Sequence, residues 1–131
     1  MPYVEGDLPD PPSNAAKLAQ GAFKLGKAWR VIPYDQNMLL SVLGSGRPIL
    51  IAITVWDSFE NGGVNGLLTI PNTSTENYKG NHQVVLCGAD LTKKVWLVRN
   101  SWGTGWGDQG YCYMPFGYEQ LWLAAWSGDI A

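Results

Sequence analysis

The stretch from Asn81 to Gly110, NHQVVLCGADLTKKVWLVRNSWGTGWGDQG, restricts what this chain can fold into more than any other. Two apolar runs, His82–Gly88 and Lys94–Asn100, are separated by the turn-forming Ala89-Asp90-Leu91-Thr92-Lys93. Short apolar runs bounded by turn residues predict strands, and so brief a connection predicts an antiparallel hairpin. Such a hairpin returns Asn100 to the side of His82, the only histidine. A carboxamide oxygen in that position accepts from one ring N–H, sets the tautomer and leaves the other nitrogen to take a nucleophile's proton. Trp102 supplies a lid against water. Each residue also has a plainer reading: a structural histidine at the head of a strand, an asparagine satisfying a turn, and two core tryptophans, Trp102 and Trp106.

A third strand, Gly110–Met114, follows the Gly- and Trp-rich loop. By letter, Gly105-Trp106-Gly107-Asp108-Gln109-Gly110 matches a dinucleotide fingerprint. That motif requires a strand before it and a helix after it; here strand-like Tyr111-Cys112-Tyr113 succeeds it, and the match is dismissed.

Upstream, residues 1–22 carry Pro2, Pro9, Pro11 and Pro12 and read as an extended Pro-rich lead-in, with one short helical turn through Ala15–Ala19 capped by Ser13 or Asn14. Residues 23–131 read as one β-rich lobe. Phe23–Ile32 is a strand; Asp35 caps a helix through Met38, Leu39, Val42 and Leu43 that Gly44 ends; Ile49–Trp56 is β-branched and apolar, a buried strand. Asp57–Gly80 reads as a long loop with one brief extended piece, Gly66–Ile70. The tail Tyr118–Ile130 packs back across the sheet. The predicted fold class is α+β, mainly β: an antiparallel, partly barrel-like sheet with a short helix.

A chain of 131 residues is one domain by size. Its nine Lys and Arg are scattered and its net charge is −2, which argues against nucleic acid as a partner, since phosphate neutralisation needs a basic stripe. The longest apolar run, Ile49–Trp56, is too short to span a bilayer, so no membrane partner is expected. The opening Met1–Asp7 lacks the basic and apolar regions of a signal peptide. One histidine with scattered carboxylates forms no metal cluster, and no cofactor is implied. Cys87 and Cys112 fall on separate predicted strands and read as free thiols. An offset of five along one strand turns Cys87 away from His82. Seven tryptophans suit an interface or a lined groove.

The sequence His82-Gln83-Val84-Val85, then Arg99-Asn100-Ser101-Trp102-Gly103, then Trp106-Gly107 and Gly110-Tyr111, resembles the C-terminal half of the papain-like cysteine peptidases. The resemblance implies the right-hand, β-rich lobe of that fold. It implies His82 as general base, Asn100 as its orienting partner and Trp102 as the shield over the pair. It implies Asn81 and Gln83 as substrate-groove residues; both depart from the family pattern, where small residues or an aspartate are usual. The family's nucleophilic cysteine lies far upstream of its histidine, and no cysteine precedes Cys87 here. The oxyanion-hole glutamine belongs to that same upstream half.

Two functional expectations follow. The chain is a peptidase lobe, inactive alone, whose cysteine comes from another protein chain covering the face beside His82. Alternatively, it is a catalytically silent papain-like module used for binding or as a structural subunit, with an assembly partner on that same face. A truncated product of a longer gene is a third reading.

Overall fold

The computed structural model describes Asn14 and residues 25–130; the helical turn expected at Ala15–Ala19 lies outside the described residues. Among the described residues there are six strands: β1 (Leu25–Val31), β2 (Ile49–Trp56), β3 (Tyr78–Asp90), β4 (Val95–Arg99), β5 (Tyr111–Pro115) and β6 (Trp122–Ile130). They form a single antiparallel sheet in the order β1-β6-β2-β3-β4-β5. The fold is antiparallel and mainly β, as expected, and the sheet is open, with β1 at one edge and β5 at the other.

Sequence chemistry accounts for most of these elements. In β2, Ile49, Ile51, Ile53 and Val55 are buried while Leu50 is exposed, the alternation of a strand with one face on a core. Helix α1 (Gln36–Gly44) packs against β2 and β3 through buried Leu39. Its cap is as predicted: the Asp35 carboxylate accepts from the Met38 N–H at 3.0 Å. The C-terminal tail packs back across the sheet as β6, inserted between β1 and β2 and paired with both.

The region expected as a loop, Asp57–Gly80, differs. Asp57–Glu60 forms a helical turn, α2, and β3 begins at Tyr78. Two carboxylates tie down the chain between them. Glu76 accepts from the Ser58 and Asn72 N–H groups, each at 2.8 Å, and Asp57 accepts from the Asn77 N–H at 2.8 Å. The Ser58 contact for Glu76, and the Asn77 backbone bond for Asp57, hold both carboxyls below their ordinary range. The expected extended piece reduces to isolated bridges at Leu67, one with Val64 and one with Tyr113. No helix among the described residues is long and apolar enough to cross a membrane.

Candidate active site

His82 sits on β3 opposite Ile53 of β2, on the same side of the strand as buried Val84 and Leu86. Asn100 follows the last residue of β4, and its N–H bonds to the Gly110 carbonyl at 3.0 Å, so the loop returns to its own start. The hairpin thereby brings His82 Nε2 within 2.8 Å of Asn100 Oδ1.

The proton on that bond can be assigned without seeing hydrogens. The Ser101 backbone N–H, which can only donate, lies 2.8 Å from the same Asn100 Oδ1. It fixes which end of the carboxamide is oxygen. An oxygen facing the ring accepts, so Nε2 carries the proton and the carboxamide's claim on the imidazole ends there. In the neutral ring the remaining lone pair is on Nδ1. Asn100 is 7% exposed, and its Nδ2 has no partner among the described residues. A donor left unsatisfied by burial costs about 1–3 kcal/mol, a sign that something other than stability keeps the carboxamide here.

Around the pair lies an aromatic cluster. Trp102 stacks on His82 with ring centres 4.9 Å apart and planes 24° from parallel, yet stays 43% exposed, with one face on the imidazole and much of its surface open. Phe59, fully buried on α2, meets Trp102 edge-on at 5.4 Å, Trp106 at 5.0 Å and His82 at 6.3 Å. Trp106 Nε1 donates to the Phe59 and Glu60 carbonyls at 3.2 and 3.0 Å, pinning α2 to the 100–110 loop. The loop can approach so closely because Gly62, just past α2, has φ +78, where a side chain would collide with the Gly107 backbone nitrogen.

The structure thus brings His82, Asn100 and Trp102 together. Asn81 and Gln83 flank His82, both exposed; alternation along β3 turns them to the opposite face, where they pair with Thr54 and Ala52. Asn81 Oδ1 accepts from the Tyr78 hydroxyl at 2.7 Å. Cys87 is exposed on that outward face, and Cys112 is fully buried on β5; both are free. Burial pushes the Cys112 thiol up to about 12 and raises Cys87 as well. Among the described residues no group of three or more His, Cys, Asp or Glu side chains could hold a metal ion.

Two contributors escape a reading of the sequence. Phe59 lies among loop-forming residues and has no periodic partner to signal burial, and the Ser101 contribution is a backbone N–H that any residue but proline would supply.

Comparison with known proteins agrees with this geometry. The family model for papain family cysteine proteases matches residues 2–124. Cysteine proteinase B of Leishmania mexicana is 31% identical over 128 residues, which are 94% of this chain and 27% of that protein. A peptidase C1-like protein of Acanthamoeba polyphaga mimivirus is 38% identical over 76 residues, 56% of this chain and 24% of the relative. Xylellain, a cysteine protease from Xylella fastidiosa, superimposes with a TM-score of 0.79 at 26% identity, covering 92% of this chain and 46% of its own. The chain spans about a quarter of the curated relatives it matches. With the imidazole of β3 paired to the carboxamide just past the end of β4, and a family match over nearly its whole length, this chain belongs to the papain family of cysteine proteases.

Proposed function

We propose that this chain supplies the proton-handling half of a cysteine-peptidase site, with His82 as general base and acid, Asn100 as its orienting partner and Trp102 as its shield. A Cys-bearing lobe covers the face beside His82 and brings the thiol and the oxyanion-hole donors. The observation that carries this reading is the 2.8 Å contact between His82 Nε2 and Asn100 Oδ1, with the carboxamide's orientation set by Ser101.

In this reading Nδ1 takes the proton of the incoming thiol, and the thiolate attacks the peptide carbonyl carbon. A C–S bond forms, the C–N bond breaks, and the imidazolium returns its proton to the departing amine. Water then attacks the thioester with His82 again taking the proton, which releases the acid and regenerates the thiol. Trp102 keeps water from competing for the Nε2–H. Asn81 and Gln83 are assigned to the substrate groove through their backbone only, since alternation along β3 turns their side chains to the face opposite His82. Correct placement of nucleophile against base is worth roughly 7–11 kcal/mol of barrier, so the two lobes must meet in a tight, pre-organised interface.

A second reading, a catalytically silent module used for binding or assembly, is favoured by one observation: neither Cys87 nor Cys112 lies on the His82 side in a reactive state. One experiment separates the two. The chain is placed with a Cys-bearing papain lobe, as one polypeptide or a reconstituted complex, and treated with a thiol-reactive peptide probe. Labelling that collapses with His82→Ala supports the peptidase. Labelling that ignores this substitution, or its absence from a complex that does assemble, leaves the silent module.

A further inference from the structure

The face of the sheet turned away from His82 carries a pattern that the site does not use. Strand register lines up one residue from each strand in a continuous transverse row: Arg30, Trp126, Leu50, Val85, Arg99 and Tyr111. Its centre is apolar and open, with Leu50 41% and Trp126 45% exposed. Each arginine lies over an aromatic ring, Arg30 at 5.6 Å from Trp126 and Arg99 at 5.7 Å from Tyr111. Neither guanidinium has a carboxylate within ion-pair distance among the described residues. Two residue pairs further along β4 and β5, Leu97 and Tyr113 line a groove of about 700 Å³ together with Leu67, Val95, Asp90 and Lys93.

We infer that this outward face docks an extended segment of another protein, apolar in its centre and bearing a carboxylate at each end. Open apolar surface bounded by polar groups marks association sites. The charges select the occupant. The strands that carry the two arginines lie four strand spacings apart, about 19 Å across the sheet, and an extended chain covers that distance in about six residues. A second copy of this chain is disfavoured, because either way of facing two such rows sets arginine against arginine. An anionic membrane is disfavoured too, since recognition of lipid headgroups takes a cluster of about four to eight cations and the row holds only these two. The inference does not rest on the peptidase reading, because its residues lie on the opposite face from His82.

The probe is a seven-residue peptide with glutamate at both ends and alternating leucine and alanine between, titrated into the full chain. Its control has lysine at both ends. We expect saturable binding of the glutamate peptide alone, with NMR shifts centred on the Trp126 indole and on Leu50 and Val85. Binding weakens at least about tenfold in the Arg30→Glu/Arg99→Glu double variant, and this variant prefers the lysine peptide. Both positions are exposed, so a thermal melt matching the parent separates lost binding from lost fold; Trp126→Ser is the second variant and abolishes binding with the charges intact. Equal binding of both peptides, shifts centred on Trp102, or no binding of either peptide overturns the inference.

Discussion

Replacing Asn100 with alanine separates what orients His82 from what holds the lobe together. Two accepted hydrogen bonds disappear, those from His82 Nε2 and from the Ser101 N–H. Each contributes a net of about 0.5–1.5 kcal/mol. Both donors can then turn to water, since Ser101 is exposed and His82 is half-buried, so neither is stranded. Against that loss stands the removal of the buried Nδ2, which has no partner and costs about 1–3 kcal/mol where it is. The two sums nearly cancel, and Asn100→Ala is expected to change unfolding free energy by less than about 1 kcal/mol, read by urea denaturation. The imidazole behaves differently. As His82 is the only histidine, its ring nitrogens are assigned in a nitrogen-15 long-range correlation spectrum without further labelling. The parent chain shows the Nε2–H tautomer with that proton protected from exchange; the variant shows a fast-exchanging proton and a mixture of tautomers. A stability loss beyond about 2 kcal/mol would show that the carboxamide is primarily structural. A proton still protected in the variant would show that Trp102 and Phe59, rather than Oδ1, hold it.

Glu119, 3% exposed, accepts from Trp96 Nε1 at 2.9 Å and the Gly117 N–H at 2.7 Å on one oxygen, and from Gln36 on the other. Glu119→Ala strands a buried indole N–H and should cost at least about 3 kcal/mol in chemical unfolding, Glu119→Gln only about 1 kcal/mol. Alkylation near pH 8 should modify Cys87 in the native chain and Cys112 only after unfolding, because burial holds the Cys112 thiol at about 12; equal native rates would refute this. The carboxyls of Asp57 and Glu76 are held below their ordinary values, so their contribution is present above the unfolded carboxylate range and is lost as pH falls through the folded values. Amide exchange in residues 57–79 should therefore accelerate below about pH 4, before the β2–β3 ladder opens, and Asp57→Asn should reduce that acid sensitivity; simultaneous opening of both would count against it.

Much of this protein is legible from residue order. The alternation of Ile49–Val55, the Asp35 cap and the His82–Asn100 hairpin rest on interactions between residues near in sequence or on strict period-two burial. Those signals are local, so they survive without knowledge of the rest of the fold. His82, Asn100 and Trp102 stand in one contiguous stretch, so their proximity, and the family, were legible there.

Other features were settled only by tertiary structure. Whether a six-stranded sheet closes depends on edge partners and accumulated twist, which no single strand encodes; here β1 and β5 remain apart. The segment Asp57–Tyr78 looks like loop because its order comes from carboxylates reaching backbone N–H groups many residues away, such as Asp57 to Asn77. Phe59 becomes part of the site only because Trp106 Nε1 ties its helical turn to a loop more than forty positions downstream. The orientation of the Asn100 carboxamide, and so the tautomer of His82, rests on where the Ser101 N–H points. Residue identities determined which groups were available for chemistry; contacts distant in sequence decided which atoms face one another.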